Sequence, residues 1–154
     1  GLQAERVDLC TVVEEILATL GQQASTKGLA LDAELPGAGV TVNADRRAVS
    51  QIVINLVSNA IKFTQRGGVR VAVTGLDGSA CVAVSDTGPG IREEDLPLLF
   101  QPFMRVDPNQ ARNFEGTGLG LHLSRELAQR LGGTVAVQSR QGEGSTFSLR
   151  LPMP

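Results

Sequence analysis

Gln51, Asn55, Ser58, Asn59 and Lys62 fall on one side of a helix turning about 100° per residue. Val49, Ile52, Val53, Leu56, Val57, Ala60 and Ile61 form the opposite, apolar stripe. Asn is a poor helix former beside Glu, Lys or Gln, so a face that only meets water has little reason to carry two Asn and a Ser. Amide oxygens ligate hard cations such as Mg²⁺, and Lys62, one turn onward, suits a phosphate. A solvated helix face is the competing reading. A second group, Asp86-Thr87-Gly88-Pro89-Gly90, closes a run that reads as a strand. A carboxylate emerging from a strand can accept a hydrogen bond from an amino group on a flat ring, and the glycines let backbone pass close beneath it. A plain turn built from Asp, Gly and Pro stands beside that reading. The third group, Gly116-Thr117-Gly118-Leu119-Gly120-Leu121, opens a helix. Its glycines leave backbone N–H groups free where the helix dipole favours an anion. The spacing GxGxG is neither GxxxxGK[ST] nor GxGxxG, so the alternatives are a phosphate site of another kind and a tight turn.

The elements that must position these groups are legible from periodicity. Leu9, Val12, Val13, Ile16, Leu17 and Leu20 predict an amino-terminal helix, with Asp8 as N-cap, Val7 and Val12 as a hydrophobic staple, and Gly28 at its end. Leu29, Leu31 and Ala33 alternate as a short strand, and Val40–Val42 predicts another. The polar-faced helix runs from Asp45 to about Lys62. A hairpin follows, with Val69, Val71 and Val73 on one strand, a turn at Gly75-Leu76-Asp77-Gly78, and a return over Ala80–Ser85. From Asp86 to Gly116 the periodicity disappears. A third helix from about Gly118 to Leu131 and a closing hairpin, Thr134–Gln138 with Ser145–Leu151, complete the chain. This order predicts a single α+β domain, a two-layer sandwich with about five strands in one sheet and helices over one face.

Composition narrows the function. The chain has 154 residues, 42% hydrophobic and 19% charged, which suits one folded domain with a real core. A net charge of −2 argues against nucleic-acid binding, which needs a basic surface. No apolar run reaches the roughly 20 residues of a membrane span, so no direct membrane contact is expected. Gly1-Leu2-Gln3-Ala4 has no leader character and reads as a cut from a longer chain. Cys10 and Cys81 form no CxxC pair, which predicts a reducing compartment and no structural zinc. His122 is the sole histidine and is expected to have a structural or surface role.

In order and spacing, these groups resemble the ATP-binding domain of sensor histidine kinases, within the superfamily of DNA gyrase, the related heat-shock chaperone and the mismatch-repair ATPases. Asn55-Leu56-Val57-Ser58-Asn59-Ala60-Ile61-Lys62-Phe63 resembles the family's N box. Asp86–Gly90 resembles its first glycine box, Phe100-Gln101-Pro102-Phe103 its F box, and Gly116–Gly120 its second glycine box. Gly142-Glu143-Gly144-Ser145-Thr146-Phe147 also fits, so the resemblance covers essentially the whole chain.

The resemblance implies a Bergerat-type fold with a mixed sheet, and ATP and Mg²⁺ as ligands. Asn59 would hold the Mg²⁺, with Asn55 beside it and Lys62 on phosphate oxygens. Asp86 would take the adenine amino group, with Gly88 and Gly90 lining the ring and Thr146 reaching the same region. Gly116, Thr117, Gly118, Leu119 and Gly120 would border the triphosphate. Residues 101–115 would form a mobile ATP lid bracketed by Phe100, Phe103 and Phe114, with Met104 where the family often has an aromatic residue. Arg105 and Arg112 would neutralise γ-phosphate charge there, or else be solvated. Asn55, Lys62 and Arg105 are thus the candidate catalytic groups. The family phosphorylates a histidine on a dimerisation domain, which this sequence does not contain, and passes the phosphoryl group to a response regulator. The expected setting is a cytoplasmic domain, monomeric alone, within a homodimeric parent. A serine kinase of the same superfamily, a gyrase-type ATPase (disfavoured, since Asn55 stands where those carry a catalytic Glu) and a non-catalytic nucleotide-sensing domain are the alternatives.

Overall fold

The structure, a computed structural model, describes residues 1–102 and 120–154. Met104, Arg105, Arg112, Phe103, Phe114, Gly116, Thr117, Gly118 and Leu119 therefore lie outside the described residues, as does most of the expected lid.

The chain opens on a strand that periodicity had not suggested, β1 (Glu5–Asp8), paired antiparallel with β3 (Thr41–Ala44) in a two-stranded ribbon. At four residues with only Val7 fully buried, β1 is too short to show an alternation. Between them run α1 (Leu9–Thr26) and β2 (Ala30–Glu34). Asp8 caps α1 by accepting the Cys10 N–H at 2.9 Å. The helix ends with Gly28 at φ 73°, Gly28 N–H on Ser25 O at 2.9 Å and Leu29 N–H on Ala24 O at 3.0 Å. That crossed pair satisfies the last carbonyls and demands a residue without a Cβ penalty at Gly28.

Helix α2 (Arg46–Phe63) is capped by Asp45, which accepts the Ala48 N–H at 3.0 Å. Its far end is held by a cation: Lys27 Nζ donates to the carbonyls of Ile61 at 2.7 Å and Lys62 at 3.1 Å. All seven residues of the predicted apolar stripe are buried. The hairpin is β4 (Gly68–Leu76) and β5 (Ser79–Asp86), longer than predicted. Only Asp77 and Gly78 turn it, at φ 54° and 78°, a two-residue turn whose twist matches the strands, so pairing continues to Leu76↔Ser79. After β5 a 3₁₀ helix, Glu93–Leu98, occupies a stretch that had read as loop. Helix α3 (Gly120–Arg130), β6 (Thr134–Ser139) and β7 (Ser145–Pro152) follow.

The main sheet has five strands in the order β2-β4-β5-β7-β6. β2 and β4 are parallel and the other pairs antiparallel, giving the mixed sheet. Its inward rows, Val71–Val84–Phe147 and Val73–Val82–Leu149, are buried under the helices. The opposite face carries the other phase of each strand, including Ala72, Ala83 and Ser148, which are half-buried. Among the described residues no helix is long and apolar enough to cross a membrane.

Candidate functional site

The inner face of the sheet ends on a charged row. Register places Val69, Asp86 and Ser145 side by side, in phase with the buried valines and leucines. Asp86 is only 8% exposed. Its Oδ1 accepts the Gly88 N–H at 2.8 Å, while Oδ2 is buried without a partner among the described residues. Burial pushes the Asp86 carboxyl above the ordinary aspartate range, opposed by the backbone N–H groups of Gly88 and Ser145. Thr64, which follows α2, is fully buried, and its hydroxyl also lacks a partner among the described residues. An unpaired buried polar atom costs about 1–3 kcal/mol, so two together mark a place the apo fold leaves unsatisfied.

Glycine keeps that place open. A β-carbon on Gly88 would lie 2.9 Å from Asp86 Oδ1, 3.3 Å from Phe63 O and 3.4 Å from Thr64 Oγ1. Gly144, at φ 85°, has the Asp86 carbonyl 2.1 Å from where its Cβ would be, so Asp86 is seated against bare backbone. Gly90 does a related job: at φ 71° it packs against the Arg140 carbonyl, and the Gly142 N–H donates to Pro89 O at 2.7 Å. Thr87 ties the same loop to the start of β4, donating to Arg66 O at 2.7 Å and accepting the Gly68 N–H at 3.0 Å.

From this corner the polar face of α2 leads away. Asn55, Ser58, Asn59 and Lys62 are half-buried rather than solvated, and Gln51 is exposed. Asn55 Nδ2 donates to Ser124 Oγ of α3 at 3.0 Å, and Gln51 Nε2 donates to Asn55 Oδ1 at 3.3 Å. Among the described residues no group of three or more His, Cys, Asp or Glu could hold a metal. A hard cation here would rely on the Asn55 and Asn59 amide oxygens, with further oxygens from a ligand. Thr64 and Asn55 are nine residues apart along α2, about 14 Å of helix axis, so the face can accompany an extended ligand.

The structure sets Asp86, at the end of β5, and Gly88 against Phe63 and Thr64 at the end of α2, and places Asn55, Asn59 and Lys62 on the half-buried polar face of that helix. One expectation needs correction. Thr146 lies in the opposite phase of β7 from Phe147, and its hydroxyl pairs with Ser85 Oγ at 2.8 Å on the far face of the sheet. Ser145 is the residue beside Asp86. Alternation through Phe147, Leu149 and Leu151 already put 145 inward and 146 outward. Thr64 was missed because a Thr after a helix reads as its stop, and Ser124 because it is a lone hydroxyl in an apolar pattern. His122 Nδ1 sits 3.1 Å from Phe100 O and Nε2 3.6 Å from Glu126. Arg125 stacks on the Phe100 ring, 4.4 Å from its centroid, so α3 holds the residue that precedes the F-box glutamine.

A buried, half-unsatisfied carboxylate at a strand end, a glycine-opened corner and an amide-lined helix define a nucleotide-binding class of domain. The chain belongs to the family described as histidine kinase-, DNA gyrase B-, and HSP90-like ATPases, whose model matches residues 44–154. Within that family it is a catalytic ATP-binding domain of the sensor histidine kinase type. It is 46% identical over 153 residues to histidine protein kinase DivJ of Caulobacter vibrioides, a match covering 99% of this chain and 26% of that protein. The chain therefore spans about a quarter of that relative's length. Full-length ShkA, solved in complex with AMPPNP, superposes with a TM-score of 0.87 at 29% identity, covering 99% of this chain and 31% of ShkA. The nucleotide-free catalytic domain of histidine kinase ThkA gives a TM-score of 0.85 at 26% identity, covering 97% and 95%.

Proposed function

We propose that this domain binds Mg-ATP along α2 and supplies the γ-phosphoryl group to a histidine on a separate dimerisation domain, the first step of two-component signalling. The observation that carries the binding step is the pair of unsatisfied buried atoms, Asp86 Oδ2 and Thr64 Oγ1. An adenine amino group donates to the Asp86 carboxylate, and the Thr64 hydroxyl supplies a second polar contact at the same corner. Guanine would present a carbonyl to that carboxylate, leaving buried groups unpaired, so ATP is preferred over GTP. That ShkA, similar to this chain over 99% of its length, was solved with AMPPNP supports an adenine nucleotide as the ligand.

Asn59 and Asn55 would hold Mg²⁺ through their amide oxygens, and Lys62 would contact phosphate oxygens. The cation supplies charge neutralisation to the transferring phosphoryl group. The residues here position rather than react: an imidazole nitrogen lone pair on the acceptor attacks the γ-phosphorus, the bond to the β,γ-bridging oxygen breaks, and ADP leaves. Passage of the phosphoryl group to a response regulator follows from the same reading. Incubating the domain with γ-labelled ATP and a dimerisation domain from a relative tests it. Acid-labile label on the acceptor histidine, lost in Asn59→Ala, is expected; label absent from the histidine while ATP still binds would support a nucleotide-sensing role instead.

A further inference from the structure

We infer that Ser124 is a positioning residue that holds the Asn55 side chain in the orientation used for Mg²⁺-dependent nucleotide binding, an inference resting on the function proposed above. Ser124 lies in the second turn of α3 and is 1% exposed, so its hydroxyl is largely withdrawn from solvent. Packing alone would favour another residue there: Ala fits the volume, forms helix better and buries no polar atom. The partner that justifies the hydroxyl is Asn55, whose Nδ2 donates to it at 3.0 Å across 69 residues of sequence. The amide is thereby held with its nitrogen on α3 and its oxygen on the other side, where Gln51 Nε2 reaches it at 3.3 Å.

That orientation matters because it leaves the oxygen, not the nitrogen, on the side away from Ser124, against the exposed Gln51 side chain. Gln51, Asn55, Ser124, Leu127 and Arg130 line a groove of about 350 Å³ between α2 and α3. A terminal amide torsion is broad and roughly two-fold, so without its anchor Asn55 would present nitrogen as readily as oxygen. Nitrogen cannot ligate a hard cation or accept from its waters. The bond also ties α3, which begins at Gly120 where the glycine-rich motif ends, to the amide face of α2. One hydrogen bond thus sets the polarity of one cation ligand and the relative placement of the two helices.

The test is calorimetric titration of ATP into wild type, Ser124→Ala, Ser124→Thr, Asn55→Ala and the Asn55→Ala/Ser124→Ala double variant, each with Mg²⁺ and with chelator. Ser124→Ala should lower the Mg²⁺-dependent gain in affinity about 3- to 10-fold, the range of one neutral hydrogen bond, with metal-free affinity unchanged. Ser124→Thr, which keeps the hydroxyl, should retain the gain, and the double variant should match Asn55→Ala. An unchanged gain in Ser124→Ala, an equal loss with and without metal, or additive losses in the double variant would overturn the inference alone. Wild type that binds no ATP would overturn both the inference and the function beneath it. If Ser124→Ala melts far below wild type, the comparison of Asn55→Ala with wild type decides: an unchanged Mg²⁺ gain there overturns the inference.

Discussion

Asp86→Asn should separate stability from binding, moving them in opposite directions. The substitution keeps shape and removes charge. In the apo domain the carboxylate is 8% exposed, one oxygen is held by the Gly88 N–H at 2.8 Å, and the other has no partner among the described residues. Its raised pKa states the same fact: burial disfavours the ion by more than Gly88 and Ser145 compensate. Neutral Asn removes that penalty, so the melting temperature should hold or rise. For the nucleotide the change is adverse. If the amide oxygen stays on the Gly88 N–H, the amide nitrogen replaces Oδ2 and meets the adenine amino group donor to donor. A hydrogen bond to a charged group contributes about 1.5–3 kcal/mol, so ATP affinity should fall roughly 10- to 150-fold. Thermal unfolding paired with calorimetry reads both quantities. Wild-type affinity in Asp86→Asn, or a large drop in melting temperature, would refute the reasoning that Asp86 is a binding group kept at the expense of the apo fold.

Further outcomes follow from the same geometry. Thr64→Val, nearly isosteric, should leave apo stability equal or higher by removing the orphan hydroxyl, while ATP binding weakens about 3- to 10-fold by calorimetry. Lys27→Ala should cost about 1–2 kcal/mol, roughly 3–8 °C in melting temperature, because the last carbonyls of α2 lose their cation. Gly144→Ala should cost roughly 2–4 kcal/mol in denaturant unfolding, since a Cβ at φ 85° drives into the Asp86 carbonyl, and ATP binding should fall with it. Asp86 keeps its proton to higher pH in the folded apo chain than in the unfolded one, so the folded state binds more protons in that window. Unfolding free energy should therefore fall as pH rises from the ordinary aspartate value, about 3.9, through the raised one, and a denaturant series should show this component gone in Asp86→Asn.

Much of the scaffold was legible because it rests on strong local signals. The α2 stripe from Val49 to Ile61 is buried to the last residue, and Asp8, Asp45 and Gly28 terminate helices as their chemistry suggests. β1 was invisible because three of its four residues, Glu5, Arg6 and Asp8, are charged and only Val7 is apolar and buried. The 3₁₀ helix Glu93–Leu98 carries Pro97 and three acids, a composition that reads as loop, yet the half-buried Arg92 pairs with the buried Asp95 at 2.8 Å. At the site, Asp86, Gly88 and the asparagines stood out by residue type. Thr64 and Ser124 did not, because their significance is tertiary: one hydroxyl is buried without a partner among the described residues, and the other meets an amide from a distant helix. The Thr146 expectation followed the motif where strand phase would have chosen Ser145.

The central claim is that this domain is an adenine-nucleotide site completed by magnesium, and titration of ATP and GTP into the wild-type domain with and without Mg²⁺ tests it most directly. Saturable ATP binding that tightens with Mg²⁺ and exceeds GTP binding at least about tenfold is predicted. Absence of saturable ATP binding, or equal affinity for the two nucleotides, would contradict it.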